Sequence, residues 1–256
     1  ADVLSVNAVL DDGRSNPTQD ETEQRLEQVS ALARSSGADL GAMLDTTGER
    51  LRLVDGKGSP VAVERALLAY VDLVSREADH PRVAVPVTTS RVVEQLLAER
   101  GGEVIWTQVS ASALSAAALE PGVVLAGAEG GGYMFPEFLP AYDAVMSLVK
   151  LLELLTRAEQ RLEDVVDALP PSHVVRVDVA TPWESKGTVM RRLVERLNGE
   201  KTVTIDGVKA FRGRDWALVI PHPQEPVVRV WAEADDPEGS RSMAAEFAAL
   251  VEELRG

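Results

Sequence analysis

The sequence predicts an α/β chain in three parts: an incomplete unit over 1–59, a complete mixed α/β unit over 60–169, and a small α+β unit over 170–256. Three observations carry this. Short β-branched runs alternate with helical stretches through the middle of the chain, the order that builds a sheet with crossover helices. The dipeptide Pro170–Pro171, followed by Ser172, interrupts that rhythm. Beyond it the pattern changes to closely spaced strands and then one long amphipathic helix.

The elements follow in order. Val3–Val9 reads as a strand, with a polar turn region over 11–21. Glu21–Ser35 carries Leu26, Val29, Leu32 and Ala33 on one stripe, a helix that Gly37 would stop. Leu40–Leu44 and Leu51–Val54 read as paired strands around a loop at 45–50, and Asp55–Pro60 as a turn. In the middle part, Val63–Val74 is helical, "PRVAVPV" (81–87) is a strand, and the hydroxyls of 88–90 cap a helix that Gly101 and Gly102 end. "EVIWTQV" is a strand, "SASALSAAAL" a short helix, "GVVLAGA" a strand, and Tyr142–Leu155 and Arg157–Leu169 are helices. The strands alternating with helices here are expected to run parallel, their C-terminal loops bearing any site. In the last part, "HVVRVDVA", "KTVTIDGVKAF", "WALVI" and "VVRVWAEA" are strands. Lys186–Leu197 is a helix, and Ser240–Leu254 another, with Met243, Phe247, Leu250 and Leu254 on one face.

Composition narrows the function. With 256 residues, 45% hydrophobic and 26% charged, the chain has the makings of a sizeable core. Aromatics supply 4%, so alanine, valine and leucine must build it. A formal net charge of −15 argues against nucleic acid and anionic membrane as partners, because both require a basic footprint. There is no cysteine, which excludes disulfide and thiol chemistry, and the three histidines lie far apart. The first residues lack the basic-then-apolar order of a signal peptide, and no uncharged stretch reaches membrane-spanning length, so a cytoplasmic location is expected.

Three loops carry candidate chemistry. In "LDTTGER", Asp45 and Glu49 are four apart with Thr47 between them, a set of hard oxygens that invites a magnesium ion but supplies little negative charge. Arg50 beside them would pair with an acid or face a phosphate. In "AGAEGGGYMF" (126–135), Gly130, Gly131 and Gly132 let backbone approach a ligand closely, and Glu129 would accept from sugar hydroxyls. The loop lacks the spacing of a dinucleotide fingerprint or a P-loop. In "VIPHPQEPVVR" (219–229), prolines remove backbone donors around His222, Gln224 and Glu225, a poor cradle for a dianion. Each loop also has a plain reading as a turn. Ser90, Ser110 and Ser112 fit caps, and Trp183 with Lys186 fits a surface edge.

The order of these loops resembles the α-D-phosphohexomutases, the phosphomannomutase/phosphoglucomutase superfamily. The likeness runs through "SSGADLGAMLD", "RLRLVDGKG", "VAVPVTTSRVVEQLLAERGGEVIWTQV", "GGYMFPEF" and "WALVIPHPQEPVVRVWAEAD". It implies a partial second domain (1–59), a complete mixed α/β third domain (60–169) and a C-terminal small α+β domain (170–256), as in phosphohexomutases. It also implies a metal loop at 45–50, a sugar loop at 126–135 and a phosphate loop at 220–226, arranged around one cleft. The family's first domain, which carries the phosphoserine, has no counterpart in these residues.

The departures from the family's patterns decide the functional expectation. In a metal loop of the form Asp-Gly-Asp-Gly/Ala-Asp-Arg, Asp45 and Arg50 match, Thr47 replaces the second aspartate and Glu49 the third. Where the family often has Thr-Lys-Val-Gly, this chain reads Thr107-Gln108-Val109-Ser110. Ala128 replaces the first acid of the sugar loop, while Glu129 and Gly130–Gly132 remain. In the phosphate loop Ile220, His222, Pro223 and Gln224 replace arginine, serine, glycine and threonine, and Pro221, Glu225 and Pro226 hold. The resemblance therefore implies a module that is not catalytic by itself. Its expected role is regulation, assembly or weak binding of a sugar phosphate or nucleotide sugar within a larger nucleotide-sugar enzyme. The upstream domains of the same polypeptide would be its partners, and a homo-oligomer is compatible with the sequence. The proline-rich turn is similar to the mutase-like region of bacterial mannose-1-phosphate guanylyltransferase-like fusions. The alternative is the substrate-binding portion of an active magnesium-dependent mutase cut from its serine domain. A purely structural or partner-binding module is the third reading. Arg50 is the catalytic candidate; Glu129, Gly130, Gly131, Gly132, His222 and Glu225 the substrate contacts; Asp45 and Glu49 the weak metal ligands.

Overall fold

The structure is a computed structural model that describes residues 2–6 and 17–256. The strand expected over Val3–Val9 does not form in its described part: residues 2–6 have no regular structure and are exposed, and 7–9 lie outside the described residues, as does 11–16 of the polar turn. Helix α1 (Gln19–Ser36) begins two residues before its expected start. The cause is a reciprocal capping box, in which the Glu21 N–H donates to Thr18 Oγ1 at 3.2 Å and the Thr18 N–H to Glu21 Oε2 at 2.8 Å. Gly37, at φ 67°, ends it. The helix lies on the antiparallel hairpin of β1 (Leu40–Leu44) and β2 (Leu51–Asp55), which closes with Leu44 opposite Leu51.

Helix α2 (Val63–Glu77) is buried on nearly every side from Ala66 to Val71. It sits between the hairpin, the middle sheet and α5 (Ala144–Ala158), so Leu51 and Leu53 of the hairpin share one core with Leu67, Tyr70, Leu125 and Leu151. The middle sheet has the order β4 (Glu103–Thr107), β3 (Arg82–Pro86), β5 (Val123–Ala128), β6 (Gly132–Met134). β3 runs parallel to β4 and β5, as the alternation of strand and helix implies. β5 then turns back antiparallel into β6, so part of the stretch expected to be loop, 132–134, is strand. Helices α3 (Val92–Ala98) and α4 (Ala111–Ala118) follow β3 and β4. The two long helices expected next meet at Glu159, whose φ of 53° ends α5, and the second is the short α6 (Leu162–Ala168).

The C-terminal sheet is wholly antiparallel in the order β7 (Val175–Ala180), β11 (Val227–Glu233), β10 (Asp215–Pro221), β9 (Val208–Arg212), β8 (Lys201–Val203). The stretch "KTVTIDGVKAF" splits into β8 and β9 because Gly207, at φ 66°, turns the chain. Helices α7 (Trp183–Arg196) and α8 (Pro237–Arg255) cover one face and, through Val189 and Phe247, share a core with Val219 and Val228 of the sheet. Both start about three residues before their expected positions, α8 because Asp236 caps the Glu238 and Gly239 N–H groups. On the other face Trp216, Leu218 and Ile220 of β10 pack on Val87 and Trp106 of the middle unit. No helix among the described residues is long and apolar enough to cross a membrane.

Candidate functional site

The 45–50 loop folds around its own aspartate. Asp45 Oδ1 accepts from the Glu49 N–H at 2.8 Å and the Arg50 N–H at 3.1 Å, and Oδ2 accepts from the Thr47 hydroxyl at 2.9 Å. Partial burial pushes this carboxyl up. The Arg50 N–H, the Thr47 hydroxyl, the Glu49 N–H and the Arg50 charge together outweigh that and hold it below the usual aspartate range. The residues do not fit a magnesium ion. One Asp45 oxygen has both acceptor directions filled, and among the described residues no group of three or more acids and histidines is placed to hold a metal. Thr47, standing where a ligand was expected, donates to Asp45 instead.

The loop is joined to the glycine run. The Leu51 N–H donates to the Gly131 carbonyl at 2.9 Å, and the Ala144 N–H at the start of α5 donates to the Gly48 carbonyl at 2.8 Å. Gly131 has φ 84°, and a Cβ there would stand 2.4 Å from the Leu51 carbonyl oxygen. A side chain at Gly130 would begin 3.7 Å from the exposed Arg50 guanidinium. The glycines expected to admit a ligand thus first admit a neighbouring loop. These contacts bring Arg50 beside Gly130 and Leu51 against Gly131; among the described residues Glu49 bonds only through its N–H to Asp45.

Glu129 belongs to the same loop but to a different environment. Its Oε1 is buried without a hydrogen-bond partner, and so are Glu64 Oε1 and Thr89 Oγ1. Burial raises the Glu129 carboxyl to about 7, Glu64 adds to the rise, and Thr89, Thr88 and Lys209 temper it. Sequence reasoning missed Glu64, Thr88, Thr89 and Lys209. The threonines passed as helix caps, and Glu64 and Lys209 sit singly in unremarked helix and strand patterns, so nothing local marks them.

The 221–226 turn is closed on itself. The Lys186 ammonium donates to the His222 carbonyl at 2.6 Å and to the Glu225 carbonyl, and lies 3.7 Å over the Trp183 ring. Lys186, read as part of a surface edge, is 7% exposed, whereas Trp183 beside it is 51% exposed. Glu225 accepts from Arg229 Nη2 at 3.1 Å, and His222 Nδ1 accepts from the Gln224 N–H at 3.3 Å. An anion cradle presents N–H groups; this turn presents carbonyls to a resident cation. Among the described residues, the hydrogen bonds and ion pairs of His222 and Glu225 stay within the 222–229 stretch and Lys186, and none joins them to the 45–50 or 129–132 loops.

With this geometry in view, residues 64–173 match the family model described as phosphoglucomutase/phosphomannomutase, alpha/beta/alpha domain III. Membership of the α-D-phosphohexomutase superfamily is supported. A probable phosphoglucosamine mutase of Methanopyrus kandleri is 30% identical over 252 residues, which covers 98% of this chain and 56% of that protein. A phosphoglucomutase/phosphomannomutase of Thermococcus kodakarensis is 26% identical over 257 residues, covering 99% of this chain and 56% of its own length. Among solved structures, a phosphoglucomutase/phosphomannomutase family protein from Burkholderia thailandensis superposes with a TM-score of 0.72 at 22% identity, over 88% of this chain and 50% of that one. The open form of Paramecium pp63/parafusin gives 0.71 at 12% identity, over 93% and 50%. The chain spans about half the length of the curated relatives it matches. The phosphohexomutase-like α/β architecture is common to them; what their additional length does is a separate matter.

Proposed function

We propose that the chain is a phosphohexomutase-like module that transfers no phosphoryl group by itself and holds a sugar phosphate weakly as part of a larger nucleotide-sugar enzyme. The observation that carries this is Asp45, whose carboxylate is taken by three donors of its own loop. Phosphoryl transfer rests on positioned charge, with a metal or cations facing the oxygens that gain charge. Here the loop expected to hold a metal is self-capped, and the turn expected to hold phosphate is filled by Lys186. What stays available is Arg50, exposed beside the exposed Gly130, since Gly131 and Gly132 are buried and Gly131 spends its N–H on the Ala128 carbonyl and its carbonyl on the Leu51 N–H. Arg50 would meet an anionic oxygen; the exposed backbone at Gly130 would meet sugar hydroxyls.

The test has two arms. The chain is incubated with mannose 1-phosphate, magnesium and glucose 1,6-bisphosphate, and no mannose 6-phosphate is expected; turnover overturns the non-catalytic reading. Amide spectra are recorded with millimolar sugar phosphate, and shifts are expected at Arg50 and Glu129–Gly132. An unchanged spectrum overturns the binding role and favours a purely structural module.

A further inference from the structure

The C-terminal ends of β3 and β4, where an open parallel sheet offers its crevice, are covered by the C-terminal unit. The cover is polar and specific. Glu233, 1% exposed at the end of β11, accepts from the Ser90 hydroxyl, from the Arg91 N–H at 2.9 Å and from Trp216 Nε1–H at 2.8 Å. Asp206, in the turn between β8 and β9, accepts from the Val109 N–H at 2.8 Å, and its neighbour Ile205 accepts through its carbonyl from Gln108 Nε2 at 3.2 Å. Lys209, 6% exposed, donates to the Val87 carbonyl at 2.8 Å and stands 3.7 Å from the Trp216 ring centroid and 4.9 Å from that of Trp106. Arg91 pairs with Asp215 at 3.3 Å and with Asp235. Inside this ring Val87 and Trp106 pack on Trp216, Leu218 and Ile220.

Two backbone donors of the middle unit therefore bond to acids of the C-terminal unit: Arg91 to Glu233 and Val109 to Asp206. A buried carboxylate with three donors is tolerated where it is, and is costly to expose or to strip of its partners. We infer that these contacts are a latch. The middle and C-terminal units open and unfold as one body, without swinging about the connection at 170–172, and the crevice at the ends of β3 and β4 is shut to ligands. The Thr88–Thr89 wall beside Glu129 belongs to the latched turn, so the latch also fixes that side of the Glu129 environment. The inference is independent of whether a sugar phosphate binds.

Residue-resolved amide exchange on the whole chain tests it. The Arg91 amide is expected to exchange as slowly as Leu218 in the core of β10, and thermal unfolding to give one transition. The Val109 amide, on an exposed residue, is expected to be slowed by its bond to Asp206, but less so. Fast exchange at Arg91 while Leu218 stays protected overturns the latch, as do two separate transitions. Glu233→Gln is expected to speed Arg91 exchange by about tenfold or more, since a charge-assisted bond is lost in a buried site. Should that variant fail to fold, Asp206→Asn lies in a partly exposed turn and is expected to speed exchange at Val109 alone. An unchanged rate at the partnered amide in the folded variant removes that carboxylate from the latch.

Discussion

The Lys186 ammonium lies 2.6 Å from the His222 carbonyl oxygen, and this contact sets the polarity of the C-terminal turn. Lys186→Met keeps the length of the side chain and removes the donor to two carbonyls. The variant is expected to lose about 1–3 kcal/mol in a urea titration. It gains no affinity for inorganic phosphate, because the turn still presents oxygens. Phosphate protection of the variant against unfolding would contradict this account of the turn.

Glu129 makes stability depend on pH in the direction opposite to a paired acid. Its folded value is about 7 against an ordinary 4.5, so the folded chain holds the proton more tightly than the unfolded chain does. The contribution is complete below about pH 4.5 and is lost as pH rises through 7. Relative to Glu129→Gln, the native chain is expected to lose roughly 2–3 kcal/mol between pH 5 and pH 8. Parallel pH profiles in chemical denaturation would refute this.

The two loops of the candidate site meet through Gly131, and two glycine substitutions separate clash from backbone preference. Gly131→Ala places a Cβ 2.4 Å from the Leu51 carbonyl oxygen at φ 84°, and is expected to cost about 2 kcal/mol or more. Gly48→Ala has φ 71° and nothing within 4 Å of the new atom, so about 1 kcal/mol is expected. Equal losses of melting temperature in the two variants would mean that the close approach is not what holds the loops together.

Asp45→Asn keeps an acceptor for the Glu49 and Arg50 N–H groups and is expected to change stability by less than about 1 kcal/mol, whereas Asp45→Ala orphans three donors and costs about 1–3 kcal/mol. Millimolar magnesium is expected to move the melting temperature of the native chain by less than about 1 °C, since a ligand that binds no folded site adds no stability. A clear magnesium-dependent rise, abolished in Asp45→Asn, would restore the metal reading.

Much of this architecture was legible because local signals agreed with it. The periodicity of Val63–Val74, the glycines at 37 and 101 and the 45–50 turn each act within a few residues of themselves. Element boundaries slipped where a cap was overlooked, as at Thr18 and Asp236, or where one residue takes φ above zero, as at Glu159. The candidate site was legible in its loops and illegible in its contacts. Glu129 stands near Glu64 and Lys209, 65 and 80 positions away, and that juxtaposition exists only once the sheets are assembled. Lys186 was misread for the same reason, since the two carbonyls it serves lie 36 and 39 positions downstream.

The single hydrophobic core that joins the β1–β2 hairpin to α2 governs how the molecule can be dissected. A recombinant piece limited to residues 64–173 would strip Leu51 and Leu53 from their seats, leaving an oily trough along α2 beside Leu67 and Tyr70. Such a piece should self-associate or precipitate, whereas one beginning before α1 should stay in solution.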